Sequence, residues 1–201
     1  SHRKFEPLTP ALKQSIIELW QTQRTDPIRL RLAIRAGADA AYRQTLDVVA
    51  DATSKPETLL AMLAILDELG ESDCARVVLR LIDSDQPEDV QLAALGVLAK
   101  SNNDTITSTL LANYPKMSPA LKSRSRDLLF SRPSTTRTFL ELVEANTILA
   151  EEVALDQLRR VSLHGDAELD AIVRKHWGNI QPGTPEEKLA VVRRLNNDLR
   201  A

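Results

Sequence analysis

Few residues in this chain are of types that could do chemistry. There is one cysteine, Cys74, and the histidines beyond the first residues are His164 and His176. Cys74 opens an apolar stripe with Val77, Val78, Leu81 and Ile82, which predicts a buried structural thiol rather than a nucleophile. His164 stands beside Gly165 and reads as a loop or helix-end residue. His176 shares a helical face with Leu169, Ile172 and Val173, so packing or charge compensation at a helix C-terminus is expected of it. No His, Cys or carboxylate cluster has metal-ligand spacing. The acids Asp83, Asp85, Glu88 and Asp89 lack the glycine and the closing glutamate of an EF-hand loop, which leaves helix capping as their role. A glycine-rich phosphate loop and a Gly-x-Ser-x-Gly elbow are both missing. Catalytic, cofactor-binding and metal-binding residues are therefore expected to be none.

A basic cluster is the strongest candidate for recognition. Lys122, Arg124, Arg126, Arg132 and Arg137 lie close together in sequence, and Arg174 and Lys175 follow later. Together they are the expected surface for an acidic partner. Trp20 and Trp177 are expected to anchor a core or a cap.

The elements that would carry these residues are helices. Hydrophobic residues make up 43% of the 201-residue chain and aromatics 3%, a balance that suits helix-on-helix packing with small and aliphatic side chains. No hairpin dipeptide flanked by alternating residues occurs. Prolines at 27, 56, 87 and 119 open amphipathic stretches with spacings of 29, 31 and 32, and the second helices end alike from Asp47, Arg80, Leu111 and Glu141, at spacings of 33, 31 and 30. A fixed φ and a missing N–H suit proline to a first helical turn. Asp26 and Ser118 are placed to cap. A two-helix unit of this length does not bury its apolar faces alone, so it stacks on its neighbours.

The expected architecture is all-α: a right-handed α-α superhelix of about four to five two-helix repeats with a capping helix at each end. Residues 1–25 hold a capping helix, with Leu12, Ile16, Leu19 and Trp20 inward. Residues 26–145 hold four repeats. Residues 146–201 form an irregular helical extension in which the period stops: a helix near 148–162, a loop at 163–166, a helix carrying Leu169, a linker, and a last helix opened by Thr184-Pro185-Glu186-Glu187.

The run Gln86-Pro87-Glu88-Asp89-Val90-Gln91-Leu92-Ala93-Ala94-Leu95-Gly96, echoed from Lys55, resembles the HEAT and armadillo-like repeat family over residues 26–145. A second, narrower resemblance covers residues 118–200. It lies in Leu128-Leu129-Phe130-Ser131-Arg132-Pro133, in Ile172-Val173-Arg174-Lys175-His176-Trp177-Gly178-Asn179 and in Thr184-Pro185-Glu186-Glu187-Lys188. These segments resemble the helical module of planctomycete-type secreted bacterial proteins, in which a sugar-dehydrogenase-like propeller precedes the HEAT region and a c-type haem domain follows it. That resemblance implies a middle module of a multidomain protein in an extracytoplasmic compartment. The haem motif Cys-x-x-Cys-His is absent, so no redox role passes to any residue here.

Charge narrows the function classes further. Residues 1–114 carry 12 basic and 16 acidic groups and residues 115–201 carry 14 and 12, for a net charge of −2. This balance gives no general case for nucleic acid as a ligand. No 18-residue apolar run or export signal is present, so no membrane span is expected. The leading expectation is a non-enzymatic scaffold or protein-interaction module that binds a protein partner or neighbouring domains of its own chain. The alternatives are a nucleic-acid-binding HEAT-like protein of the DNA glycosylase type, and an accessory module docking a c-type haem domain.

Overall fold

The computed structural model describes residues 8–70, 73–101 and 103–180, together with positions 189 and 193. Apart from those two positions, the expected last helix lies outside these residues, as does most of the linker before it. Among the described residues the fold is all-α, with eleven α-helices, three short 3₁₀ turns and no strand. The chain divides into two compact units, Ser1–Ile106 and Thr107–Ala201.

The first unit holds α1 (Pro10–Thr22), α2 (Pro27–Arg35), α3 (Asp39–Ala50), α4 (Pro56–Leu69), α5 (Ala75–Val78) and α6 (Glu88–Leu98). Helix α7 (Asp104–Asn113) follows. Local chemistry sets several of these boundaries. Pro10, Pro27 and Pro56 each occupy the first helical turn, and the Asp26 carboxylate accepts the Arg29 N–H at 2.9 Å. Gly70 closes α4 in the left-handed region at φ 68°, where a side chain would be strained.

Packing alternates in two layers. Helices α2, α4 and α6 touch in succession, and α3 touches α2, α4 and α5. Leu30, Leu59, Leu63, Leu66, Ala94 and Leu98 are at most 1% exposed and form the seam between them. Each fully buried leucine contributes about 1.5–3 kcal/mol.

Two elements differ from expectation. Helix α5 is a single turn continued by a 3₁₀ turn at Leu79–Leu81, although the apolar spacing predicts one longer helix. Tightening to the three-residue period turns Val78, Leu79, Leu81 and Ile82 inward together, and all four are buried. Helix α1 does not face inward along its full stripe. Trp20 is 3% exposed, but Leu12 and Leu19 are 48% and 47% exposed. The helix packs on α2 and ties to it through the Arg29 guanidinium, which donates to Leu19 O and Thr22 Oγ1. That contact covers one stripe of α1 and leaves the other to solvent.

The second unit holds α8 (Pro119–Leu129), α9 (Pro133–Glu144), α10 (Leu155–Ser162) and α11 (Ala167–Trp177). Ser118 caps α8 through Leu121 N, and Asp166 caps α11 through Glu168 N and Leu169 N. Phe139 forms edge-to-face contacts with Tyr114 and Phe130, at centroid distances of 5.4 and 5.1 Å, in a core closed by Leu129, Leu140 and Leu158. The helix expected near 148–162 is shorter. Asn146 takes φ 54° to end α9, Ala150–Glu152 form a 3₁₀ turn, and extended Val153 and Ala154 precede α10.

Side-chain bonds recur at a narrow sequence interval in both units. Tyr42 donates to Asp73, Arg35 pairs with Glu68 and Lys100 pairs with Asp67, at separations of 31, 33 and 33. In the second unit Lys122 pairs with Glu152, Arg126 bonds Gln157, Arg160 pairs with Asp127 and Lys175 pairs with Glu144, at separations of 30, 31, 33 and 31. Bonds at this interval therefore continue past residue 145 and tie α10 to α8 and α11 to α9.

Candidate partner-binding surfaces

Helix α8 carries Lys122 and Arg126 on one face, a turn apart, and Arg124 on the opposite side. Arg126 turns inward and is 6% exposed. Its Nε donates to Gln157 Oε1 at 2.7 Å and its Nη1 to the Tyr114 hydroxyl at 2.6 Å. Gln157 in turn donates to Ser123 O at 3.0 Å and Asp127 Oδ1 at 2.9 Å, and Arg160 reaches the same carboxylate oxygen at 3.1 Å. This is a polar strut between α8, α10 and the turn holding Tyr114. Burial pushes the Tyr114 phenol above its usual pKa, opposed by Arg126, so the ring stays a neutral acceptor for the guanidinium.

Lys122 lies 5.1 Å from the Tyr114 ring and 2.7 Å from Glu152 Oε2. Arg137 pairs with Glu168 and, at 2.9 Å, with Asp166, and the Glu168 hydrogen bond holds it above its already high ordinary pKa. Lys175 sits 2.6 Å from Glu144 and lowers that carboxyl. Arg174 Nε donates to Asp170 O at 3.4 Å. Arg132 is half-buried at the start of α9, while Arg124 is exposed with no ion pair among the described residues. Three of the seven expected basic residues, Lys122, Arg137 and Lys175, are thus paired with carboxylates of their own unit, and Arg126 stands apart inside the core.

The remaining chemistry-bearing residues occupy structural positions. Cys74 is 1% exposed. His164 Nε2 donates to Phe130 O at 2.9 Å and lies 3.5 Å from Thr136 Oγ1, which joins the α10–α11 loop to the end of α8. His176 is half-buried beside Trp177, whose Nε1 donates to Ala150 O at 2.8 Å. Asp89 bonds Val90 N in the first turn of α6. Among the described residues no group of three or more His, Cys, Asp or Glu side chains is placed to hold a metal ion. No described helix is long and apolar enough to cross a membrane.

One site lies outside the sequence expectations. The end of α1 and one stripe of α3 frame an open groove with a cavity volume of about 640 Å³, lined by Trp20, Gln21, Arg24, Ala40, Arg43, Gln44 and Asp47. The Arg24 guanidinium lies 5.5 Å from the Trp20 ring centroid. Trp20 Nε1 and Gln44 Nε2 both donate to Arg24 O, at 3.3 and 3.0 Å, and so fix the loop that bears this arginine. The sequence signal is faint: 40, 43, 44 and 47 share one helical face, and the two arginines are 19 residues apart.

No protein-family model, curated protein or solved structure matches the chain.

Proposed function

We propose that this chain is a non-enzymatic helical-repeat module of the HEAT type that binds a protein partner or holds neighbouring domains of its own chain. The observation that carries this reading is the set of side-chain bonds at separations of 30 to 33 inside each unit, such as Arg35–Glu68 in the first and Lys122–Glu152 and Glu144–Lys175 in the second. Such bonds arise when each helix pair stands on the pair one period before it, which is how a stacked array buries faces that a lone pair leaves exposed. Helix starts support the same count. The first helices begin at 27, 56, 88, 119 and 155, and the second at 39, 75, 104, 133 and 167, so α10 and α11 supply a fifth pair. Stacking of this kind within each unit offers a helical surface whose rungs vary independently, and that suits recognition better than catalysis.

The polar residues are occupied accordingly. The buried ones brace helices against each other, and Lys122, Arg137 and Lys175 pair with carboxylates of their own unit. The net charge of −2 argues against nucleic acid, whose phosphates are held by an excess of Lys and Arg.

Native mass spectrometry and absorption spectra of the purified full chain test the reading. A bare protein of 22.3 kDa is expected. A cofactor retained at one per chain, or turnover of a substrate by the chain alone, would overturn it.

A further inference from the structure

The groove between α1 and α3 brings two guanidiniums from separate parts of the chain to one cavity. Arg24 and Arg43 are exposed, and neither has an ion pair among the described residues. Both free guanidiniums face one cavity of about 640 Å³, which also holds the carboxylate of Asp47 and the amides of Gln21 and Gln44. Arg24 is preorganised, because its guanidinium is laid over Trp20 and its carbonyl is held twice.

We propose that this groove docks an extended acidic segment of a partner protein. A guanidinium fork matches a carboxylate through two parallel hydrogen bonds. The Gln21 amide can donate to and accept from a peptide backbone, and Asp47 can accept a backbone N–H. A strand-like segment therefore satisfies both the cations and the remaining polar groups. An apolar helix does not, since Trp20 is 3% exposed and Ala40 is the other apolar residue in the lining. A nucleic acid would meet the Asp47 charge inside the groove, on a half of the chain with 16 acidic and 12 basic groups. The proposal rests on the interaction-module reading and names the partner's chemistry.

Fluorescein-labelled deca-glutamate, titrated with the full chain at low salt and followed by anisotropy, tests it. A Gly/Ser decapeptide is the reference. The expected result is binding of deca-glutamate that weakens about tenfold in R24Q/R43Q, the scale of two exposed charge pairs lost together. R76Q/R80Q removes the same charge from exposed positions on α5 and the adjoining turn and is expected to change affinity less than about twofold. D47N is expected to tighten binding, because it removes the one carboxylate that faces the acidic ligand. Equal binding of the two decapeptides, equal weakening by the two double variants, or inorganic phosphate binding as tightly as the peptide would each overturn the proposal. Any of these leaves the non-enzymatic reading standing, since that reading fails on a bound cofactor or on turnover.

Discussion

Replacing Arg126 by alanine tests whether the strut between α8 and α10 is a stabilising element. The substitution removes bonds of 2.7 Å to Gln157 Oε1 and 2.6 Å to the Tyr114 hydroxyl. A hydrogen bond from a charged donor is worth about 1.5–3 kcal/mol net, so the pair sets a gross loss of about 3–6 kcal/mol. Relief of guanidinium desolvation reduces that figure, while loss of the buried stem adds to it. Removing one partner from a buried charged network costs about 3–5 kcal/mol overall, and we expect R126A to fall in that range. R126M keeps the stem volume and is expected to cost about 1–3 kcal/mol. Adding Gln157→Leu to R126M should then cost less than the two single changes summed, because the orphaned carbonyl disappears with its donor.

Urea unfolding is the assay, and the two tryptophans of the chain allow the units to be read separately. In a Trp20→Phe background, Trp177 fluorescence reports the second unit. A loss below about 1 kcal/mol for R126A in that signal would refute the account, since it would mean a guanidinium still solvated in the folded chain.

Further outcomes follow from other parts of the structure. Phe139→Ala should destabilise the second unit by about 3–5 kcal/mol in the same urea titration, because it empties a fully buried site between two edge-on rings. Gly70→Ala should cost about 1 kcal/mol, as the left-handed φ is strained for alanine although no atom lies within 4 Å of the added methyl. Asp166 has a folded-state pKa depressed by the Leu169 and Glu168 backbone N–H groups and by Arg137. The unfolded chain therefore binds its proton more readily, so the contribution is complete above the ordinary carboxylate range and is lost as pH falls through the lower folded value. Melting temperatures should be level down to pH about 5 and fall below pH about 4. D166N keeps the cap and should shrink that fall, and an unchanged acid limb would contradict the assignment. A gel shift with duplex DNA at low salt should show no complex at micromolar protein.

Much of the fold is legible in the sequence because its helix starts are marked chemically. Asp26-Pro27 and Ser118-Pro119 each combine a capping oxygen with a ring suited to the first turn, and the structure places both as read. The fifth helix pair lacks such a mark. Helix α10 opens at Ala154-Leu155 without proline and runs eight residues, and its start is 36 residues after that of α8. The pattern was there in another form, as Gln157 stands 31 residues after Arg126 on the inward face of its helix. Arg126 itself was illegible as a core residue, because a lysine, two serines and another arginine surround it on α8 and read as a solvated face. The groove was illegible for a different reason. One of its arginines lies on the α1–α2 loop and the other on α3, and nothing in local spacing says that Arg24 and Arg43 line one cavity.

The central claim is that helix pairs one period apart hold each other up, including the pair beyond residue 145. Hydrogen exchange on a chain truncated after residue 145 measures this most directly. Protection is expected to fall across α8 and α9, which lose Gln157, Glu152, Glu168 and Lys175 as partners. Protection across α2 to α6 is expected to persist, since those helices keep their own core. Unchanged protection in α8 and α9, or uniform loss across the whole chain, would contradict the account.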